Sequence, residues 1–291
     1  MSRKYYKKTY KRNSFTAYKG KHYNNSSSTE LTVFALGGIV AAILFAQYRN
    51  AIILGIVIVA GAALWAALEY SREKKIKEAY FKASGVDISE QYRIRDDRAK
   101  GYIGEFELFK ALSTYVKAPG KILMNVELPM QNGQYTEADC VFLHKTGVYV
   151  FECKNWSGHI MGRTNEKNWT IRFKTQRDAH PYNPVKQNEG HIRALRKLML
   201  RDGNGWATIP INSVVLFTNK DCVTRIIPND DSSFCTVLRM AKLREYIQQN
   251  MNKPLSHKWS MNEANIDKLY DLISPFAHQD SEAELVQLQA E

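Results

Sequence analysis

The hydrophobic pattern begins with a long apolar zone, and only after it do short apolar runs alternate with charged positions. The zone consists of two runs, residues 32–48 and 51–70, which are separated by Arg49 and Asn50. Because about 20 apolar residues cross the hydrocarbon core of a bilayer, the second run is long enough and the first is slightly short. The pattern predicts a transmembrane hairpin at 31–70, two helices with a tight turn between them. A buried hairpin in a soluble protein is the alternative.

Basic residues on both sides of the apolar zone predict its orientation. A tail at 1–30 is predicted to be disordered, and its first 29 residues include eight basic and no acidic ones. The segment after the zone, 71–97, starts with a basic stretch and is predicted to form a charged connecting helix and a linker. Since basic flanks stay in the cytoplasm, the N-terminus and everything after residue 71 are predicted to lie on the cytoplasmic face of the cell membrane.

Net charge says little about what the soluble part binds. The formal net charge is +12, from 41 basic and 29 acidic residues. Eight of the basic residues lie in the tail, which leaves 33 basic against 29 acidic residues in the rest of the chain. The four cysteines are scattered and form no CxxC pair, a pattern that argues against a zinc knuckle and fits a reducing compartment.

The pattern after the apolar zone predicts an α/β fold. Residues 98–220 are predicted to form a domain with a mixed sheet flanked by helices. Its predicted helices are 100–116 and 183–200, and its predicted strands are 121–128, 136–144, 148–154 and 212–218, with a mostly extended segment at 155–178. An α/β extension at 221–276, with a strand at 234–238 and two helices, and an acidic tail at 277–291 complete the predicted organisation.

Two carboxylates are predicted to face each other in the hairpin formed by the second and third strands. If the chain turns at Lys145 and Thr146, paired positions sum to 291 and Asp139 lies opposite Glu152, with Lys154 two residues along the same face. Opposed like charges destabilise a sheet, whereas a divalent cation such as Mg²⁺ binds one or two carboxylates. A structural cluster of charges at the end of a strand is the alternative.

Two helices contribute further polar candidates. Glu105 lies within the apolar stripe of the first helix of the domain, where a carboxylate needs a partner such as Lys154 or a metal ion. Its alternative is a glutamate favoured by the helix dipole. In the second helix Asn183 is the predicted cap and Pro184 lies in the first turn. Gln187 lies at the edge of the core-facing stripe, where it either reaches a substrate or is an ordinary surface glutamine.

These motifs together resemble the nuclease-related domain (NERD) family. The matching elements, in chain order, are GxxGE at Gly101, Gly104 and Glu105, ExD at Glu137 and Asp139, ExKNxxG at Glu152, Lys154, Asn155 and Gly158, and NPxxQ at Asn183, Pro184 and Gln187. The resemblance covers roughly 98–220 and implies the restriction-endonuclease-like fold with its D…(D/E)xK site. Ala138 stands where that superfamily often has proline.

The resemblance implies a function as well as a fold. It implies metal-dependent hydrolysis of phosphodiester bonds, in DNA rather than RNA, with Mg²⁺ or Mn²⁺ as the cofactor. Asp139 and Glu152 would be metal ligands and Lys154 would position or activate the attacking water. Glu105 would be an additional ligand or would orient Lys154, and Gln187 would be an accessory catalytic residue.

The remaining predictions concern partners and alternatives. Four basic residues after the hairpin are candidates for contacts with the nucleic-acid backbone: Arg163, Arg172, Lys174 and Arg177. The lipid bilayer is a partner through 31–70, and a homo-oligomer is left open. One alternative is a catalytically retired nuclease fold that binds nucleic acid or acts as a scaffold at the membrane. Another is a membrane-organising protein whose basic tail binds anionic lipid.

Overall fold

The computed structural model describes residues 27–94, 96–118, 120–130, 133–201, 206, 209–228, 235–252 and 261–277 of the 291-residue chain. Most of the predicted basic tail, and the predicted acidic tail after residue 277, lie outside these residues. The chain divides into two compact units, 1–66 and 67–291, and the second contains the α/β fold.

A single continuous helix, α1 (Ser27–Ser84), runs through the apolar zone. The structure therefore does not show the predicted hairpin, because Arg49 and Asn50 are helical. Neither residue breaks a helix as proline does, and a break would leave up to about four C=O groups before it and four N–H groups after it without a helical partner. By length and composition α1 can cross a membrane, with a mean hydropathy of 2.6 in its most apolar 18-residue stretch, although a signal sequence has a similar composition.

The second unit contains the rest of the helices and all the strands in the described part of the chain. The other helices are α2 (Ile88–Gln91), α3 (Asp97–Tyr115), α4 (Pro184–Arg201), α5 (Met240–Asn250) and α6 (Glu263–Ile273). The strands are β1 (Gly120–Pro129), β2 (Tyr135–His144), β3 (Gly147–Lys154), β4 (Gly158–Arg163), β5 (Thr170–Arg172), β6 (Ile211–Phe217), β7 (Cys222–Ile227) and β8 (Cys235–Arg239). A short 3-10 turn, Ser274–Phe276, follows α6.

The main sheet has five strands in the order β1-β2-β3-β6-β8. Strands β1, β2 and β3 are antiparallel neighbours, whereas β6 is parallel to both β3 and β8, so the predicted mixed sheet is confirmed. Side chains alternate between its faces. Tyr149 and Phe151 pack with α3, α5 and the last turns of α1, and Val148 and Val150 pack with α4 and α6. Helices therefore cover both faces of the sheet, as expected from the sequence.

A second sheet of three strands, β5-β4-β7, stands beside the first. The sequence predicted an extended segment where β4 and β5 lie, but it did not predict β7. Strand β7 is six residues long and pairs in parallel with β4, which precedes it by about 60 positions in the chain. Its interior side, including Cys222, packs with Ile160, Ile171 and Trp169 in a third apolar cluster.

Candidate active site

The β2–β3 hairpin adopts the predicted register. Cys140 pairs with Phe151 and Val141 with Val150, so each pair sums to 291. Asp139 and Glu152 occupy the next positions along the two strands. A carboxylate oxygen of Asp139 accepts a hydrogen bond of 2.6 Å from the backbone N–H of Cys153, which holds the aspartate side chain against β3.

Glu152 is the most deeply buried carboxylate of this group, with no exposed surface. One oxygen forms an ion pair with Lys154, and the other lies 3.0 Å from Nε2 of His191, which is itself buried. The other ring nitrogen of His191 lies 2.7 Å from the hydroxyl of Thr136. Lys154 of β3 and His191 of α4 therefore fix the orientation of Glu152, and the Thr136 hydroxyl in turn orients His191.

His191 was not among the residues selected from the sequence. Its only sequence signal is spacing: it follows Gln187 by four residues, and such residues lie on the same side of a helix. Because α4 buries Leu195 and Met199 on its core side, a histidine near that stripe looks like an ordinary packing residue until the contact with Glu152 is seen. The contact joins residues that are 39 positions apart.

Glu105 is also buried, and its Oε2 atom has no hydrogen-bond partner within the described residues. Burial, followed by the charges of Glu137 and Glu152, raises the pKa of Glu105 to about 7. Burial and the charges of Glu152 and Glu105 likewise raise the pKa of Asp139 well above its usual value. The three carboxylates are thus close enough to repel one another.

Lys154 is the positive charge among these carboxylates. Burial opposes its charged form, but the carboxylates of Glu152 and Asp139 outweigh this and raise the pKa of the Lys154 ammonium group. Its Nζ atom also lies 6.0 Å from the centroid of the Trp156 ring. Lys154 is therefore held as an ammonium ion between carboxylates and an aromatic face.

Gly104, directly before Glu105, allows α3 to approach the site. A Cβ atom on Gly104 would lie 2.5 Å from Oγ1 of Thr218, so only glycine lets the helix pack against the end of β6. Gly101 is not required in the same way, because a Cβ there would make only an ordinary contact of 3.9 Å with an oxygen of Glu105. Asn155 also joins α3 to the end of β3, because its side-chain amide donates a 2.7 Å hydrogen bond to the carbonyl of Lys100. These contacts bring Glu105 to the end of β3.

The NPxxQ motif fixes the start of α4. The Asn183 side-chain amide donates to the carbonyls of Arg163, Thr164 and Glu166, and its oxygen accepts the N–H of Val185, as expected of a helix cap. Gln187 is half-buried one turn before His191, and no hydrogen bond joins its side chain to the described residues. Asn183 thus has a structural role, whereas the side chain of Gln187 lies near the site and makes no hydrogen bond to the described residues.

Comparison with known proteins identifies this region. Residues 100–218 match the family described as the nuclease-related domain. These residues form a nuclease-related (NERD) domain. An uncharacterised protein of Bacillus anthracis is 29% identical over 127 residues, which cover 44% of this chain and 57% of that protein. The chain thus spans little more than half the length of this relative, and no solved structure gives a significant match.

The donor atoms of the NERD site suit a hard divalent cation, although they do not form a complete coordination set. Within the described ranges no group of three or more His, Cys, Asp or Glu side chains is arranged to hold a metal ion. Glu152 already uses both oxygens, on Lys154 and His191. The carboxylate of Asp139 and the Oε2 atom of Glu105, which has no hydrogen-bond partner among the described residues, have the oxygen chemistry that such a cation prefers. Mg²⁺ commonly needs only one or two carboxylates, with water and phosphate completing its shell.

The basic residues predicted to contact the nucleic-acid backbone lie at the ends of β4 and β5 and in the loop that follows β5. Arg163 ends β4, Arg172 ends β5, and Lys174 and Arg177 follow in the next loop; all four are exposed. Nε of Arg172 lies 3.4 Å from a carboxylate oxygen of Asp178, so part of its charge is neutralised.

Proposed function

We propose that the protein is a membrane-anchored, metal-dependent nuclease that hydrolyses phosphodiester bonds, in DNA rather than RNA, at the cytoplasmic face. The observation that supports this most strongly is the buried Glu152 between Lys154 and His191, inside a NERD domain and beside the carboxylates of Asp139 and Glu105. An isolated group of buried carboxylates costs stability in a fold. A bound divalent cation would offset that cost.

Each residue of the site has a distinct part in the proposed reaction. Asp139 and Glu105 would hold Mg²⁺ or Mn²⁺, with Glu152 as a third ligand when it leaves the ion pair with Lys154. The bound ion would lower the pKa of a water molecule and neutralise charge on the phosphate. Lys154, released from Glu152, would donate a hydrogen bond to the attacking water or to the phosphate oxygen. His191 would keep Glu152 oriented through its second oxygen.

The membrane part of the proposal rests on α1 and on charge. None of the side chains in the most apolar stretch of α1 is buried within the protein, so a lipid environment would remove a large apolar surface from water. A nuclease acting on cellular DNA has to face the cytoplasm, and the basic residues that follow the apolar zone favour that side for the α/β unit.

A second function is favoured by one specific observation. Both oxygens of Glu152 contact Lys154 and His191, so Glu152 would have to give up its ion pair with Lys154 to act as the third metal ligand. A catalytically retired nuclease fold that binds nucleic acid or acts as a scaffold at the membrane would retain such a stable ion pair. Cleavage assays separate this function from the first.

The test is plasmid nicking by the full-length chain in detergent, with Mg²⁺ and with EDTA. We expect the parent to cut only with the metal ion, and Lys154→Ala to lose at least about a hundredfold in rate, since losing one stabilising donor costs that much. Lys197→Ala, an exposed lysine on α4, is the matched control and should cut normally. Normal cutting by Lys154→Ala would remove Lys154 from the mechanism, and binding without any cutting by the parent would favour the retired fold.

A further inference from the structure

The outer face of the three-stranded sheet is an exposed basic surface. Ile160 of β4 and Ile171 of β5 point into the apolar cluster beneath the sheet. Because side chains alternate along a strand, the residues directly before and after each of them point outward. The outward side chains include His159 and Arg163 of β4, Arg172 of β5, and Val223, Arg225 and Ile227 of β7. We call this surface the basic sheet face.

Acidic side chains neutralise the basic sheet face only in part. Within the residues that the structure describes, acidic groups lie only at its edge. Asp178 contacts Arg172, and Glu166 in the β4–β5 turn accepts the backbone N–H of Arg163. No ion pair joins the guanidinium groups of Arg163 or Arg225 to any described residue. Exposed, uncompensated cations on one face indicate an anionic partner.

The basic sheet face begins next to the candidate active site. Lys154 and Phe217 are paired at the ends of β3 and β6, and the chain passes from there directly into β4 and β7. Gly158 follows Lys154 by only four residues, a distance of at most about 14 Å for an extended chain. The cap residue Asn183 fastens the β4–β5 turn to α4, the helix that carries His191. The face is thus held in place beside Glu152.

We infer that the basic sheet face binds the phosphodiester backbone of duplex DNA beside the scissile bond, and that β7, which lies outside the residues matched to the NERD family, contributes Arg225 to it. The inference rests on the proposed nuclease function. Val223 and Ile227 are 47% and 44% exposed and lie among the basic groups, where apolar atoms contact sugars. A second copy of the chain fits less well, because two basic faces would repel each other.

The experiment measures binding of a short labelled DNA duplex to the full-length chain in detergent, with EDTA to prevent cleavage, over a range of salt concentrations. Arg225→Gln and Arg163→Gln should each weaken binding roughly tenfold at 0.1 M salt and lower the salt slope by about 0.9, as expected for one lost phosphate contact. Arg201→Gln is the matched control, because this exposed arginine ends α4, far from the start of that helix. It should keep the affinity and the slope of the parent.

The possible results separate the surface from the nuclease function. If Arg225→Gln and Arg201→Gln bind DNA equally while the parent cuts it, the basic sheet face is not the DNA surface, although the nuclease function stands. If the parent neither binds nor cuts DNA, both proposals fail. If Arg225→Gln changes only the oligomeric state in light scattering, or only the binding to anionic vesicles, the face serves a second copy or a membrane and the inference is overturned.

Discussion

At the scale of single residues, the site combines three carboxylates with one amine in a largely buried setting. The sequence alone predicts Asp139 opposite Glu152, because the register of a tight hairpin follows from the position of its turn, and the neighbouring pair Cys140 and Phe151 has that register. The sequence also identifies Glu105 as a carboxylate on the apolar, core-facing side of an amphipathic helix. What it does not show is that Glu152 contacts His191, because that contact depends on how α4 docks onto the sheet.

The raised pKa of Glu105 predicts how stability depends on pH when no metal ion is present. Its pKa is 4.5 in an unfolded chain and about 7 in the fold, so the folded protein binds the proton more tightly. This contribution is complete below pH 4.5 and is lost as the pH rises through 7. In EDTA we expect the free energy of unfolding to fall by roughly 3 kcal/mol between pH 5 and 8, since one pKa unit is about 1.4 kcal/mol.

Glu105→Gln is the variant that checks this prediction by chemical denaturation at several pH values. A neutral amide does not titrate, so the variant should show a clearly smaller loss of stability over the same range. Equal pH dependence in parent and variant would mean that Glu105 is not the group responsible. Added Mg²⁺ should restore stability to the parent near pH 8, because the ion binds the charged carboxylates.

At the scale of elements, α1 has two different parts. Up to residue 66 it belongs to the first unit, while its last turns belong to the α/β unit. There Tyr80 is fully buried, with its ring in edge contact with Phe106 at 5.3 Å and with Phe109 at 5.5 Å between centroids. The segment predicted from charge as a connecting helix is thus also part of the core.

The packing of Tyr80 predicts a stability effect that neighbouring Phe81 does not share. Tyr80→Ala should lower the free energy of unfolding by about 3–5 kcal/mol, because it leaves a cavity between α1 and α3. Phe81 is 50% exposed on the same turn, and Phe81→Ala should cost less than about 1 kcal/mol. Thermal and denaturant unfolding of the two variants measure the difference. Similar losses in both would show that the last turns of α1 do not belong to the core.

At the scale of the whole molecule, the chain contains a long apolar helix followed by a nuclease-related domain. The apolar zone has about 39 residues, which as one helix would extend roughly 58 Å, nearly twice the hydrocarbon thickness of a bilayer. A continuous helix that crosses once also places its ends on opposite faces, unlike the predicted hairpin. The side on which the N-terminal tail lies therefore distinguishes the two arrangements.

Membrane attachment predicts the behaviour of two deletions. We expect the parent to stay with membranes after alkaline extraction, and a chain lacking 31–70 to become soluble while keeping the buried turns that contain Tyr80. A chain lacking 1–26 should remain in the membrane, because apolar burial rather than tail charge holds it there. Release by the tail deletion alone would instead support lipid binding by the basic tail.

The sequence by itself determined the features that depend on local order. These are the apolar zone, the α/β alternation, the β2–β3 register and the motifs of the NERD domain, because strand and helix periods and short turns are encoded by neighbouring residues. The structure showed that α1 continues through Arg49 and Asn50, and tertiary packing alone decided that β7 pairs with β4 and that His191 contacts Glu152. The last two join segments far apart in the chain, and their partners are selected by burial and packing of the whole fold, which no local pattern specifies.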